Sequence, residues 1–171
     1  DSPEVKVMGD KTVAATIEVY NTIAKELLPT PEKAHYTFNL RDLSKVIQGM
    51  LGCTPKFIAT PNDLISLWVH EARRVFQDRM INDKDRNWFD DELKMLIKKH
   101  FETDWETVFG DASLLFYGDY IQPGVDPKLY VHLPDVEHIS KVMNESLEDY
   151  NAQSNAPMPL ILFNDAMQHV S

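Results

Sequence analysis

The residue best placed to do chemistry in this sequence is Arg41, because of its neighbours. Asn39 is a natural helix N-cap with Asp42 three residues on, and Leu40, Leu43, Val46, Ile47, Met50 and Leu51 recur behind it at helical spacing. Free N–H groups and the helix dipole favour an anion at such a start. A guanidinium beside them can reach a phosphate from the side; the plainer alternative is a surface ion pair with Asp42. Other groupings fail on inspection. His70-Glu71 opens like a zinc-protease helix, but Arg74 stands where the second histidine is needed, which leaves a helix-surface pair. Asp83, Asp85 and Asn87, with Asp91, match part of a calcium loop, yet Trp88 replaces the turn glycine and Lys94 the bidentate glutamate. That stretch reads as a charged corner between helices. Asn144-Glu145-Ser146 is a glycosylation sequon that falls in the middle of a helical pattern. The six histidines show no ligand spacing, and no nucleophile–base grouping can be assembled, so no catalytic residue and no metal site is assigned. Six scattered glycines form no phosphate-cradling loop, and no Gly-x-x-x-x-Gly-Lys-Ser/Thr is present.

The elements that must position Arg41 are helical. Asp10 through Leu28 carries Val13, Ile17, Tyr20, Ala24 and Leu27 on one face and stops before Pro29. A second helix runs from about Leu40 to Leu51 and ends at Gly52. Thr60-Pro61-Asn62-Asp63 is a strong start, with threonine as N-cap, proline at the first position and aspartate at the third. It opens a helix to about Met80 with Leu64, Leu67, Trp68, Ala72, Val75 and Phe76 inward. Asp90 can cap a helix through Phe101, built on Leu93, Leu96 and Ile97. Glycines and prolines break residues 102–133 into loop and turns, held down by Trp105, Phe109, Leu115, Phe116 and Tyr117. Pro134 opens a helix to about Tyr150, with Val136, Ile139, Val142, Met143 and Leu147 on one side. Asn151 to Pro157 reads as a polar linker, and Pro159 to Val170 starts apolar and continues as a helix.

Composition narrows the partners. The chain has 171 residues, is 43% apolar and carries a net charge of −10. Its charge is uneven: residues 101–171 hold only two bases, Lys128 and Lys141, while all five arginines lie between Arg41 and Arg86. An acidic second half argues against nucleic acid and anionic membranes as direct partners, and against direct docking onto an acidic polymer. One cysteine, Cys53, allows no internal disulfide and suits a reducing cytosol. No apolar run reaches membrane-spanning length and no signal-peptide pattern is visible. The first residue is not methionine, which suits an excised piece of a longer protein.

Several long, ordered stretches are similar to axonemal dynein heavy chains. They are Val13-Ala14-Ala15-Thr16 leading to Leu27-Leu28-Pro29-Thr30-Pro31, then His35-Tyr36-Thr37-Phe38-Asn39-Leu40-Arg41-Asp42-Leu43-Ser44. Trp68-Val69-His70-Glu71-Ala72-Arg73-Arg74-Val75-Phe76-Gln77-Asp78-Arg79 and Pro159-Leu160-Ile161-Leu162-Phe163-Asn164-Asp165-Ala166 belong to the same set. The resemblance covers nearly the whole chain. It implies an all-α fold: an AAA+ helical lid subdomain with an extended helical connection to the next module. Residues 1–101 would be the lid of the third AAA+ module, residues 102–155 the connection, and residues 156–171 the N-terminal segment of the fourth.

The family further implies an ATP-driven microtubule motor in which Arg41 is the lid's nucleotide sensor. Pro159, Leu160, Ile161 and Leu162 would lie along the adenine side of the next module. The parent motor would use ATP or ADP with Mg²⁺, while the fragment alone binds no cofactor and turns over no ATP, because phosphoryl transfer needs parts this chain lacks. Expected partners are neighbouring AAA+ subdomains of the same chain and, through the parent, microtubules and dynein light and intermediate chains. The expected location is cytoplasm, cytoskeleton and ciliary axoneme. Periodicity and charge alone would favour a free-standing acidic helical interaction domain. Against that stand Leu160, Ile161, Leu162 and Phe163, a run that a self-contained adaptor should not leave exposed.

Overall fold

A computed structural model describes residues 3–110, 115–121 and 128–170. Among the described residues there are seven α-helices and one pair of two-residue strands, so the expected all-α architecture holds with one small addition. The chain divides into two compact units, Asp1–Ser113 and Leu114–Ser171.

In the first unit, α1 spans Pro3–Glu26, α2 Leu40–Gly52 and α3 Pro61–Phe76. The expected inward face of α1 is corrected: Val13 and Ile17 are each 45% exposed, and the buried side carries Met8, Thr12, Ala15, Thr16, Val19 and Ile23. Two threonines make that possible. Thr12 donates its hydroxyl to the Met8 carbonyl at 2.9 Å, and Thr16 donates to the Thr12 carbonyl at 2.7 Å. A threonine satisfied by its own helix can be buried at little cost, so apolar residue type alone picked the wrong face.

Helix α3 is the centre of this unit and touches α1, α2 and a short helix α5 (Trp105–Phe109). Leu67, Trp68, Ala72 and Phe76 are buried as expected, and the Trp68 indole donates to Thr16 Oγ1 at 3.0 Å. Rings pack around it, Trp68 with Phe101 at 5.5 Å and Phe76 with Phe38 and Phe89 at 6.0 and 6.3 Å between centroids. Full burial of such a side chain contributes roughly 1.5–3 kcal/mol. His70 and Glu71 are not a surface pair. Both are buried, and Arg74 Nη2 donates to Glu71 Oε2 at 2.6 Å. On α2 a Cβ at Gly49 would overlap that carboxylate, so glycine there lets the two helices approach.

The next helix, α4, runs Asp83–Leu96 and is capped by Asn82, whose side chain accepts from the Asp85 N–H at 2.8 Å. Asp90 therefore lies inside the helix rather than at its start. The charged stretch from Asp83 looked like a corner, but Asp85 and Phe89 both face inward, which fixes the earlier start. A π turn, Ile97–Phe101, ends it at Glu102, whose φ of 58° is left-handed.

The second unit begins with β1 (Tyr117–Gly118) paired antiparallel to β2 (Val131–His132), inside the stretch expected to be loop. Asp135 caps α6 (Val136–Gln153) by accepting the His138 N–H at 3.0 Å, and α7 spans Asn164–Val170. Phe116, Leu133, Ile139, Met143 and Met167 form its core. The expected linker starts later than Asn151, which is still helical; its side chain accepts the Met158 N–H at 2.7 Å and donates to the Met158 carbonyl at 3.1 Å. Among the described residues, no helix is long and apolar enough to cross a membrane.

Candidate functional site

The start of α2 is built as its sequence implies. Asn39 holds an extended backbone and accepts the Arg41 N–H at 2.9 Å, and Asp42 Oδ2 accepts the Asn39 N–H at 3.0 Å, closing a capping box. Arg41 itself is exposed, and none of the described residues pairs with its guanidinium. The anticipated ion pair with Asp42 is absent, because that carboxylate is already engaged. Asp42 is buried, and Arg79 Nη1 donates to its Oδ2 at 3.0 Å.

Arg79 sits in a 3₁₀ turn, Gln77–Arg79, that continues α3. Its Nη2 donates to the carbonyls of His35 at 2.9 Å and Thr37 at 3.2 Å. The guanidinium lies 4.7 Å from the centre of the Phe38 ring. In return, His35 Nε2 donates to the Arg79 carbonyl at 2.9 Å. One side chain thus touches three of the four residues that lead into the cap, and its planar fork is what allows two carbonyls and a carboxylate to share it. The available signal was its place in Phe76-Gln77-Asp78-Arg79, three residues beyond a core aromatic, which named no partner.

A second, part-buried ion pair anchors the same lead-in. Lys33 and the Tyr36 hydroxyl both donate to Asp85 Oδ2, the latter at 2.8 Å. The Ile81 N–H donates to the Tyr36 hydroxyl at 3.0 Å. Burial alone would raise the Asp85 carboxyl, but the hydrogen bonds from Lys33 and Tyr36 outweigh it and hold the group below its ordinary range. The Asp85 bond raises Lys33 above its ordinary value, and burial raises the Tyr36 phenol. Spacing sets Asp85 in a partial calcium loop and names neither Lys33 nor Tyr36 as its partner.

Where α1 meets the π turn after α4, Glu18 accepts from Lys99 at 2.5 Å and from His100 at 2.7 Å, and both bonds lower its carboxyl. Glu92 behaves oppositely. Burial raises it, the Thr22 hydroxyl opposes that, and Glu18 adds to it; its Oε1 is buried with no hydrogen-bond partner among the described residues. Burial also raises the Cys53 thiol. Among the described residues, no group of three or more histidine, cysteine and acidic side chains gathers as a metal site.

In the second unit Leu160, Ile161 and Phe163 are exposed at 54%, 85% and 60%, and Leu162 packs against the small core. This segment is extended but belongs to no strand; the helix after it starts at Asn164.

Helices α1 to α5 thus carry, among the described residues, one unengaged arginine at a capped helix start, and comparison with known proteins gives the class of this unit. The sequence profile of the AAA+ lid domain matches residues 12–110, and the chain belongs to that family. Over 99% of its length it is 41% identical to dynein axonemal heavy chain 12 of Mus musculus and 44% identical to dynein axonemal heavy chain 1 of Homo sapiens. It is 39% identical, again over 99% of its length, to dynein axonemal heavy chain 6 of Homo sapiens. The chain spans only 4–6% of the length of these relatives.

Proposed function

We propose that this chain is the lid of the third AAA+ module in the motor ring of an axonemal dynein heavy chain, with the connection into the fourth. In this reading residues 1–101 are the lid, residues 102–155 the connection and residues 156–171 the start of the next module. The lid relays the nucleotide state of its module to its neighbour. Its Arg41 contacts the phosphate of ATP or ADP held with Mg²⁺ by the preceding large subdomain. The observation that carries the reading is the exposed Arg41, ungripped by any described residue, at a capped helix start within the part matched by the AAA+ lid family. Nucleotide would supply the anion; the chain's own contribution is a fixed helix end with a planar fork beside it. Pro159, Leu160, Ile161 and Leu162 form the adenine side of the fourth module, a use that suits the exposure of Leu160 and Ile161.

The piece by itself turns over no ATP, and its immediate partners are the adjoining AAA+ subdomains of the same chain. Microtubules and the light and intermediate chains are reached through the parent motor, in cytoplasm and ciliary axoneme. The test is Arg41→Ala and Arg41→Lys in a full-length motor, with nucleotide affinity of the third module and gliding speed as readouts. Losing a charge-assisted contact is worth about 1.5–3 kcal/mol, or roughly ten- to a hundredfold in affinity. Lysine should rescue poorly, since it offers a point charge in place of a fork. Wild-type values for the alanine variant would sink the assignment of Arg41.

A further inference from the structure

We infer that Arg79 is the positioning residue for Arg41: it fixes the direction of the α2 start, so that the sensing guanidinium is aimed by the end of α3. The inference rests on the reading of Arg41 given above and adds the residue through which its geometry is set. Three features carry it.

The first is convergence. The Arg79 fork reaches His35 O, Thr37 O and Asp42 Oδ2 at 2.9, 3.2 and 3.0 Å, and its plane covers Phe38. These partners bracket Asn39 and Arg41 on both sides. The second is the chemistry of Asp42. Its Oδ2 accepts the Asn39 N–H and the Arg79 fork together, so the capping box and the α3 end share one oxygen. A shift of Arg79 must therefore move the cap. The third is the difference in exposure between the two arginines. Arg79 is spent inside the protein, its side chain 30% exposed, whereas Arg41 stands in solvent with no gripping partner among the described residues. A long exposed side chain acquires a defined direction only from its backbone, and that backbone is what Arg79 holds. The return bond from His35 Nε2 to the Arg79 carbonyl makes the link reciprocal. Rotation of α3 is thereby transmitted to the α2 start as a rigid displacement.

The experiment compares Arg41→Ala, Arg79→Lys and the double variant in a full-length motor, measuring Mg-ADP affinity of the third module. Alongside it, amide exchange is followed in the 171-residue chain. Arg79→Lys keeps the charge facing Asp42 but loses the fork, so exchange at Arg41, Asp42 and Leu43 should speed up while Trp68 to Ala72 keep their protection. Affinity should fall by about fivefold or more. The double variant should bind no more weakly than Arg41→Ala, because residues acting through one another are not additive. Additive losses, or unchanged affinity in Arg79→Lys beside a weakened Arg41→Ala, overturn the inference and leave the sensor reading standing. An unaffected Arg41→Ala variant overturns the sensor reading, and the inference falls with it. Phe38→Leu removes the ring that lies under the guanidinium and packs on Phe76, and serves where the lysine variant loses its helical signal. It should speed exchange at the α2 start about twofold or more, and unchanged exchange there overturns the anchoring.

Discussion

Helices α2 and α3 begin with the same device and use it differently. Each start has a polar N-cap, Asn39 or Thr60, and an aspartate three residues on whose carboxylate turns back to the cap N–H. At α3, Asp63 Oδ2 accepts, among the described residues, only the N–H groups of Ala59 and Thr60, at 3.1 and 2.8 Å, and Pro61 sets the first turn. At α2, Asp42 is buried and is also gripped by Arg79, with Lys45 at 3.8 Å from its other oxygen. The α3 cap only starts its own helix. The α2 cap also ties its start to the end of another helix through Arg79. A capping box read from sequence says where a helix starts; it says nothing of what the start is fastened to.

The largest expected effect removes the frame on which both starts stand. Trp68→Ala should cost about 3–5 kcal/mol, read as a shift in denaturation midpoint, because it empties a fully buried site and orphans the Thr16 bond. Exchange at the two starts would then converge on the global rate, and an unshifted midpoint would contradict the packing described. The difference itself is broken by Asp42→Ala. Loss of a carboxylate that accepts charged hydrogen bonds should cost about 1.5–3 kcal/mol, whereas Asp63→Ala should cost only about 0.5–1 kcal/mol as a cap contact near a helix N-terminus. Equal costs for the two would show that the Arg79 link contributes nothing.

A pH series sharpens the contrast from outside it. Burial raises the folded-state pKa of Glu92 above its unfolded value near ~4.3. Folding therefore favours the protonated form, and stability is lost as pH rises through the folded pKa. Glu92→Gln should gain stability at neutral pH, gain none at pH near ~3, and leave the exchange ratio of the two helix starts untouched. Asp85 has the opposite sign. Its folded pKa is depressed, so its contribution is present above about 3.9 and is lost as pH falls below. A drop in melting temperature for Glu92→Gln at neutral pH would mean that the carboxylate is held by a partner. The smallest effect is expected in the second unit, where Ile161→Ser at a site 85% exposed should change stability by less than about 0.5 kcal/mol.

Local signals along the chain were legible wherever a residue acts on its own backbone. The caps at Asn39 and Thr60, the end of α2 at Gly52 and the inward set of Trp68, Ala72, Val75 and Phe76 all follow from propensity, capping chemistry and helical period. The misreadings share one cause. Residue type alone puts Val13 and Ile17 inside, Asp90 at a helix start, and His70 with Glu71 on the surface, because it equates apolar with buried and charged with exposed. Thr12, Thr16, Glu71 and Asp85 reverse that rule, each through a partner that makes its burial tolerable.

By itself the sequence determined that this protein is helical, where its strongest helices begin, and that Arg41 stands at one of those starts. Those features depend on contacts within a few residues, and such contacts are written in spacing. Only the tertiary structure decided which face of α1 packs on Trp68, which partner Asp42 takes, and that Arg79 joins the end of α3 to the start of α2. A buried charge is stable only beside a partner, and here that partner stands 37 residues away along the chain. No local pattern names it, because the choice is made by the packing of whole helices.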